Sequence, residues 1–305
     1  MIYSNRNKHI IEKTKEGYDM KHLCLLNNEF NLYELLYIFK EMGIQSCDVI
    51  INMDYVKQEG RKRLYDLLQG NQVFHLVEQD SRKIENRYGL VFVSSNITGY
   101  ITDMLEKIRF DQLILLEDGT YDYMDRIHED VWTNGSIKYV FNKKLVKHQG
   151  CMELREIKID KSVDLGIVFA RQLRKINELK ESGIKSILFT TPLKEDFGFD
   201  KRSEVCNFMD EQYAGKMIGI KRHPRDFSTY EMHKCNTIDI ETEILGQLIV
   251  NEFDCRQYYM FPSTTLLQTE DLRKVSIFLF DGPSEYKSSF HAANIMNADV
   301  LEYKL

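Results

Sequence analysis

The 305-residue sequence lacks most of the short motifs by which nucleotide-binding and metal-binding proteins are identified. Its 16 glycines include no G-x-G-x-x-G arrangement, and there is no P-loop. There is also no Asp-X-Asp motif of the kind that holds a divalent metal on a nucleotide sugar. The six cysteines show no C-x-x-C spacing, and apolar runs such as Leu113–Leu116 are too short to cross a bilayer. The sequence therefore predicts none of the common zinc, dinucleotide-binding or membrane-spanning classes.

Charge and composition narrow the class further. The formal net charge of -6 argues against a dedicated nucleic-acid-binding protein, because such proteins are usually basic. Hydrophobic residues make up 43% of the chain, which is enough for a globular core. The dispersed cysteines and the absence of an N-terminal apolar segment predict reduced thiols in a cytoplasmic protein.

Short apolar runs alternate with helical patterns along most of the chain. Two of these runs, His22–Leu26 and Cys47–Asn52, flank a stretch with apolar residues at helical spacing. Such alternation predicts a mainly parallel sheet covered by helices on both faces. This alternation is absent over residues 130–162 and resumes after them. We therefore predict two doubly wound Rossmann-like domains, residues 1–160 and 161–305, that face a central cleft.

All four prolines lie in the second half, and each falls just beyond an apolar run. Proline is tolerated there because its missing N–H does not interrupt the ladder of the sheet. Ligands of open α/β sheets bind at the carboxyl ends of the strands. We therefore expect four segments to converge on one edge of the second domain: Thr190-Thr191-Pro192, His223-Pro224, Phe261–Thr265 and Asp281-Gly282-Pro283.

Two charged segments are candidates for acid–base chemistry and phosphate binding. Glu117-Asp118-Gly119 follows a buried run, and crowding of two carboxylates raises one pKa, which favours a general base near neutral pH. The alternative is a turn in which Asp118 caps the next helix. In Lys221–Arg225, clustered positive charge attracts phosphate and His223 can donate a hydrogen bond to it. The alternative here is a solvated basic loop.

Two further segments are candidates for donor binding. Ser263-Thr264-Thr265 offers hydroxyls and free N–H groups at a helix start, an arrangement that binds anions but also serves in simple N-capping. A helix is predicted to begin at Asp239, and Glu243 in its first turn can accept hydrogen bonds from a ribose diol. An acidic first turn on the surface has the same pattern.

The combination and order of these segments resembles the bacterial sialyltransferases of glycosyltransferase family 52, which includes lipooligosaccharide and streptococcal capsule sialyltransferases. An acidic triplet (Glu117–Gly119) is followed by a His-Pro pair and then by Ser263-Thr264-Thr265. Ile240–Leu245 (IETEIL) is similar to the family's I-P-A-E-I-L stretch, with Glu and Thr in place of Pro and Ala. Thr190-Thr191-Pro192, followed by Asp196, is similar to its S/T-Q-P loop, although the Gln is missing.

The resemblance implies a GT-B fold and an inverting transfer of sialic acid from CMP-sialic acid to a galactose-terminated glycan, without metal or cofactor. Asp118 or Glu117 would take the proton of the acceptor hydroxyl, with Asp196 as a rival base. His223 would stabilise or protonate the departing CMP phosphate. The implied donor-binding residues are Thr190, Thr191, Arg222, Pro224, Glu243, Ser263, Thr264 and Thr265.

The sequence leaves several alternatives open. The chain is either this sialyltransferase, another GT-B transferase that uses a different donor or makes sialic acid polymers, or a catalytically silent protein that binds a nucleotide or glycan. Linkage (α2,3 or α2,6) and a homodimer are not fixed by the residues. A lipid-linked acceptor would make the enzyme peripheral at the inner membrane face, with the lysines at 143–147 as a contact.

Overall fold

The computed structural model describes residues 20–53, 56–78, 87–94, 99–117, 136–146, 153–269, 271–294 and 301–305. The chain divides into two compact units, each of which contains one parallel sheet. The main part of the first unit ends at Val168, and the main part of the second runs from Phe169 to Leu305. None of the helices within the described ranges is both long enough and apolar enough to span a membrane.

The first sheet has seven described strands in the order β3-β2-β1-β4-β5-β6-β7, and all neighbours are parallel. The strands are β1 (Leu23–Leu26), β2 (Cys47–Ile51), β3 (Phe74–Leu76), β4 (Arg87–Ser94), β5 (Arg109–Leu116), β6 (Ile137–Val140) and β7 (Glu153–Glu156). The helices of this part are α1 (Glu29–Met42), α2 (Gln58–Leu68) and α3 (Gly99–Lys107). β1 and β2 are buried along their whole length, as expected for parallel strands covered on both faces.

The second sheet has six described strands in the order β10-β9-β8-β11-β12-β13, again all parallel. They are β8 (Ser186–Phe189), β9 (Met217–Lys221), β10 (Asn236–Ile240), β11 (Arg256–Tyr259), β12 (Val275–Leu279) and β13 (Leu301–Lys304). The helices are α4 (Gly166–Glu181), α5 (Leu193–Phe197), α6 (Arg202–Tyr213), α7 (Gly246–Glu252) and α8 (Ser284–Asn294). Short 3-10 helices span Lys143–Leu145, Thr264–Gln268 and Leu272–Lys274.

Local sequence signals determine where α1 begins and ends. The side chain of Asn28 accepts a hydrogen bond from the Asn31 amide at 3.0 Å, which caps the start of α1. Gly43 ends this helix at a φ of 71°, a left-handed conformation that glycine adopts without a steric penalty. The chain then turns into β2 at the amino edge of the sheet, opposite the edge at which β1 ends.

The order of the strands identifies both units as doubly wound. In each sheet the chain first builds outward in one direction and then returns to build in the other, so the order reverses between β1 and β4 and between β8 and β11. This is the Rossmann order, in which ligands bind outside the carboxyl ends of the strands at the reversal point. The prediction of an α/β fold with two doubly wound Rossmann-like domains is confirmed.

Two edge strands, β7 and β10, differ from the sequence predictions, and so does the interior strand β6, which lies within residues 130–162. β7 (ELRE) lies within residues 130–162, where no strand was predicted. An edge strand is half exposed and therefore carries few apolar residues. The helix predicted to begin at Asp239 was wrong, since Asp239 and Ile240 belong to β10. Thr237, Ile238 and Ile240 are β-branched, which favours a strand. The helix begins only at Gly246, so Glu243 lies in the intervening loop.

Candidate functional site

Four of the loops that leave the second sheet at its carboxyl edge contain a proline. Pro192 follows β8, Pro224 follows β9, Pro262 follows β11 and Pro283 follows β12. Because all strands of this sheet are parallel, the four loops emerge at the same edge, as the sequence predicted. This edge contains the reversal point between β8 and β11, so it is the expected ligand edge of the unit.

The position of His223, two residues after β9, determines which ring nitrogen carries the proton. Nδ1 of His223 accepts a hydrogen bond from the Arg225 amide at 3.2 Å. A neutral imidazole that accepts at Nδ1 carries its hydrogen on Nε2. Burial, and then the Arg225 cation, lower the pKa of His223 below its usual value, while Asp196 opposes them. His223 is therefore a neutral ring with an Nε2–H donor at neutral pH.

A buried carboxylate, that of Asp226, connects the loop of residues 222–230, here called the histidine loop, to the end of β8. Asp226 is 3% exposed and accepts hydrogen bonds from the Thr190 hydroxyl, from the Tyr230 hydroxyl at 2.8 Å and from the Ser228 amide at 3.0 Å. Burial alone would raise the pKa of Asp226, but these hydrogen bonds lower it. The Thr190 oxygen also accepts from the His223 amide at 3.4 Å. Thr190, predicted to contact the donor, instead uses its hydroxyl to connect these two residues.

Sequence reasoning missed Asp226. Its partner Thr190 lies 36 residues before it in the chain, and only the fold brings these two residues together, whereas Tyr230 lies four residues after it. A weak signal was available, because Asp226 stands three residues after His223 and an aspartate followed two residues later by serine favours a tight turn.

Asp196 and the histidine loop are brought together by an ion pair. Both carboxylate oxygens of Asp196, in α5, accept from Arg225, at 2.7 Å from Nη1 and 3.0 Å from Nη2. This bidentate geometry is the strong form of an arginine–carboxylate contact. Asp196 thus lies beside the loop of His223, with both carboxylate oxygens bonded to Arg225.

The two cations before His223 brace neighbouring loops. Lys221 is 6% exposed, and its Nζ donates to the backbone carbonyls of Glu241 at 3.2 Å and Thr242 at 3.1 Å. Arg222 donates to Asp239 at 2.5 Å and to the carbonyl of Ser228 at 3.4 Å. Arg222, predicted to bind the donor, is therefore directed towards β10 and the far end of the histidine loop. Both side chains hold the loops that follow β9 and β10 in place.

The loop that carries Glu243 lies next to the segment that follows β11. A Cβ added to Gly246 would lie 2.7 Å from Cγ2 of Thr265, so only glycine allows this close approach. The side chain of Glu243 is exposed, and no hydrogen bond to it occurs within the described part of the chain. Glu243 is consequently an accessible carboxylate at the carboxyl edge of the sheet.

The three hydroxyl residues after β11 differ in accessibility. Ser263 is the N-cap of the 3-10 helix, and its Oγ accepts from the Thr265 amide at 3.5 Å. Thr265 is 7% exposed, with its Oγ1 3.2 Å from Ser263 Oγ and 3.3 Å from the Tyr259 hydroxyl. The side chain of Thr264 lies outside the described part of the structure. Ser263 is half-buried and is the described hydroxyl of this segment that remains near the surface.

Side-chain contacts connect the segments that follow β8, β9 and β11. The Tyr230 hydroxyl lies 3.3 Å from the sulfur of Met260, and the rings of Phe197 and Phe261 are 5.4 Å apart. Thr191 is half-buried between β8 and α5, and Pro224 is exposed beside His223. His223, Asp196 and Ser263 therefore lie on three neighbouring segments of one unit.

The first unit places Glu117 in its interior. Glu117 follows β5, is 0% exposed, and accepts from the Phe141 amide at 2.8 Å. Its own amide donates to the buried carboxylate of Glu34 at 3.0 Å. These contacts join the end of β5 to α1 and to the end of β6, in the interior of the unit. Asp118, the other predicted base, lies outside the residues that the structure describes.

Buried asparagines line the reversal point of the first sheet. Asn52, after β2, donates to the side chain of Asn27, after β1, at 2.8 Å. The amide of Asn27 donates to Asn31 at 3.3 Å, and Asn31 donates to Glu34 at 3.1 Å. Sequence reasoning missed this network, although a polar residue directly after a fully buried strand was a usable signal. The network ties the carboxyl ends of β1, β2 and β5 together.

No group of three or more histidine, cysteine, aspartate or glutamate side chains in the described ranges is arranged to hold a metal ion. The pair His233 and Cys235 has a structural position. The amides of both residues donate to the buried carboxylate of Asp210, at 2.7 and 2.9 Å.

Comparison with known proteins gives the family. No curated protein matches the chain in sequence. One similar solved structure, titled "Crystal structure of LpCGTa in complex with UDP", covers 93% of this chain and 84% of its own, with a TM-score of 0.49 and 8% identity. The family model described as Glycosyltransferase family 52 matches residues 45–282, from just before β2 to the segment after β12. The chain therefore belongs to glycosyltransferase family 52, which comprises bacterial sialyltransferases, and is a glycosyltransferase.

Proposed function

We propose that this glycosyltransferase moves sialic acid from CMP-sialic acid to a galactose-terminated glycan. One observation carries the proposal: His223 offers a neutral Nε2–H donor on a braced loop at the carboxyl edge of a doubly wound unit. That edge is where such units hold nucleotide phosphates. CMP carries a single phosphate, whose negative charge grows as it leaves, and one imidazole donor with nearby hydroxyls can stabilise it.

The reaction we propose is a single displacement. The acceptor hydroxyl oxygen attacks the anomeric carbon of sialic acid, and the bond from that carbon to the CMP phosphate oxygen breaks. The bonding electrons leave with CMP, while the acceptor proton passes to a carboxylate. Attack from the face opposite the leaving group inverts the configuration. His223 donates through Nε2 to the departing phosphate, so it acts most strongly in the transition state.

Two carboxylates remain as candidates for the base, since Glu117 is buried and bonded to Phe141. Asp118 follows Glu117 directly, and Asp196 lies beside the histidine loop in its pair with Arg225. Comparison of Asp118→Asn with Asp196→Asn identifies the base. Loss of a general base typically costs a factor of about 10² to 10⁴ in kcat, whereas loss of the other carboxylate is expected to cost far less.

Donor binding is assigned to accessible groups of the second unit. We assign residues 161–305 to CMP-sialic acid and residues 1–160 to the acceptor. Glu243 is proposed to accept from the ribose diol, and the Ser263 hydroxyl with the neighbouring amides to contact the phosphate. Arg222 and Thr190 are proposed to hold the loops of the site in place without contacting the donor, because their polar atoms are already bonded within the protein. The free thiols of the described cysteines fit a cytoplasmic location.

Radiolabelled CMP-sialic acid and lactose test the activity directly. We expect one discrete sialylated product, unchanged by EDTA, and loss of most transfer in His223→Ala with the fold retained by circular dichroism. A ladder of products would instead indicate a polymerase. Binding of CMP without turnover would indicate a silent binding protein, and undiminished transfer by His223→Ala would refute the assignment.

A further inference from the structure

The histidine loop is held at three points, two of which involve Asp226 or its partner Thr190. The Asp226 amide donates to the His223 carbonyl at 2.8 Å, which closes a tight turn. The His223 amide donates to the Thr190 oxygen, and the Thr190 hydroxyl in turn donates to Asp226. The amide of Arg225, inside the same turn, donates to Nδ1 of His223. Nε2 is the ring nitrogen of His223 that has no hydrogen bond among the residues the structure describes.

We propose that Asp226 is a positioning residue, which holds His223 in the orientation that presents Nε2–H to the phosphate of the donor. This role rests on the proposed function for the identity of the ligand, whereas the arrangement of His223 does not depend on it. Asp226 itself is buried and bonded on both carboxylate oxygens, so it acts through Thr190 and the turn rather than by touching substrate.

The two carboxylate oxygens of Asp226 have different partners, which allows a selective change. Oδ1 accepts from the Ser228 amide, while Oδ2 accepts from the hydroxyls of both Thr190 and Tyr230. Asparagine keeps an oxygen for Ser228 but presents an NH₂ group, which is a donor, to the two hydroxyls. Asp226→Asn therefore disturbs the link to His223 while it retains the size of the side chain.

Asp210 provides a matched control in the same unit. It is 5% exposed and accepts from three backbone amides, those of His233, Lys234 and Cys235, at 2.7 to 2.9 Å. Asp210→Asn also removes a charge from a buried, multiply bonded carboxylate. Because Asp210 contacts none of the groups that hold His223, its loss is expected to lower stability alone.

The experiment compares Asp226→Asn with Asp210→Asn in the full-length protein. ¹⁵N NMR of histidine side chains reports the tautomer of His223, whose signal is identified by its absence in His223→Gln. We expect a single Nε2–H tautomer in the parent protein and in Asp210→Asn, and a mixture in Asp226→Asn. We also expect kcat to fall by at least about tenfold in Asp226→Asn, since misplaced groups lose rate, and to hold in Asp210→Asn.

A second pair of variants covers the case in which Asp226→Asn does not fold. Thr190→Val removes the hydroxyl between Asp226 and His223, and Thr190→Ser keeps it. We expect a mixed tautomer and a lower kcat in the first variant and restoration of both properties in the second. An unchanged tautomer and kcat in Asp226→Asn or Thr190→Val would overturn the role of Asp226, as would an equal loss of kcat in Asp210→Asn. The tautomer is read without substrate, so these outcomes are separate from a failure to transfer sialic acid.

Discussion

Protonation of His223 is controlled by groups around its turn. Burial and the Arg225 cation lower its pKa, Lys221 acts in the same direction, and Asp196 and Asp226 oppose them. The unfolded chain therefore binds a proton at a higher pH than the folded chain does. Between the two pKa values the unfolded state holds more protons, so this group costs stability as the pH falls below the usual histidine value.

Replacement of Arg225 by methionine tests this balance. The substitution removes a cation and frees the Asp196 carboxylate, and both changes favour the protonated ring. We expect the pKa of His223 to rise, measured by NMR titration of its ring. Arg273→Met, which breaks the exposed pair with Asp271, serves as the control and should leave the titration unchanged. A lower pKa in Arg225→Met would contradict this account.

Glu117 offers a test of whether a carboxylate is structural or catalytic. Glutamine retains an oxygen that can accept from the Phe141 amide, whereas alanine leaves that amide unsatisfied. We expect Glu117→Ala to lose about 1–3 kcal/mol of stability and Glu117→Gln to lose less. Because we place the base elsewhere, kcat of Glu117→Gln should stay within about threefold of the parent, whereas loss of a base costs about 10² or more.

Gly246, at the start of α7, determines how closely the loop of Glu243 approaches the segment that follows β11. Any larger residue at Gly246 must push away Thr265, and overpacking of this kind typically costs about 1–3 kcal/mol. We expect Gly246→Ala to raise the KM for CMP-sialic acid more than it lowers kcat, since Glu243 and Ser263 would move apart. Gly99→Ala, where a Cβ meets no atom within 4 Å, is the matched control. An unchanged KM in Gly246→Ala would argue against a shared donor site.

Most strands buried on both faces could be predicted from the sequence, although the buried strand β6 was missed together with the rest of residues 130–162, and the edge strands β7 and β10 were not predicted either. Runs such as β1 (LCLL) are apolar throughout, because both faces pack against helices. β7 and β10 carry charged and polar residues, since one side of each meets no other strand among the described residues. The order of segments around His223 followed from the strand–loop pattern. The contacts of Asp226 did not, because they depend on partners that only the fold brings together.

At the scale of the whole molecule, ligand binding should protect the loops at the carboxyl edge of the second sheet and not the turns at its opposite edge. If CMP binds where we propose, hydrogen exchange should slow in four segments that leave the carboxyl edge of the second sheet, namely 190–196, 222–230, 241–246 and 260–265. The turns at the opposite edge, 182–185 and 214–216, should exchange at the same rate with and without CMP. Protection centred on those turns would place the nucleotide at the wrong end of the unit.

The positions of the prolines have a practical consequence, because none of them lies in a turn that follows a helix, such as the turn at Gly43. All four prolines lie in loops at the carboxyl edge of the second sheet, where we propose that the donor binds, and none lies in the described turns that return helices to strands. Labels, affinity tags or circular-permutation sites can therefore be introduced into those return turns while the reacting groups are left undisturbed. Changes of donor specificity, by contrast, should be sought among the proline-bearing loops and the loop of Glu243.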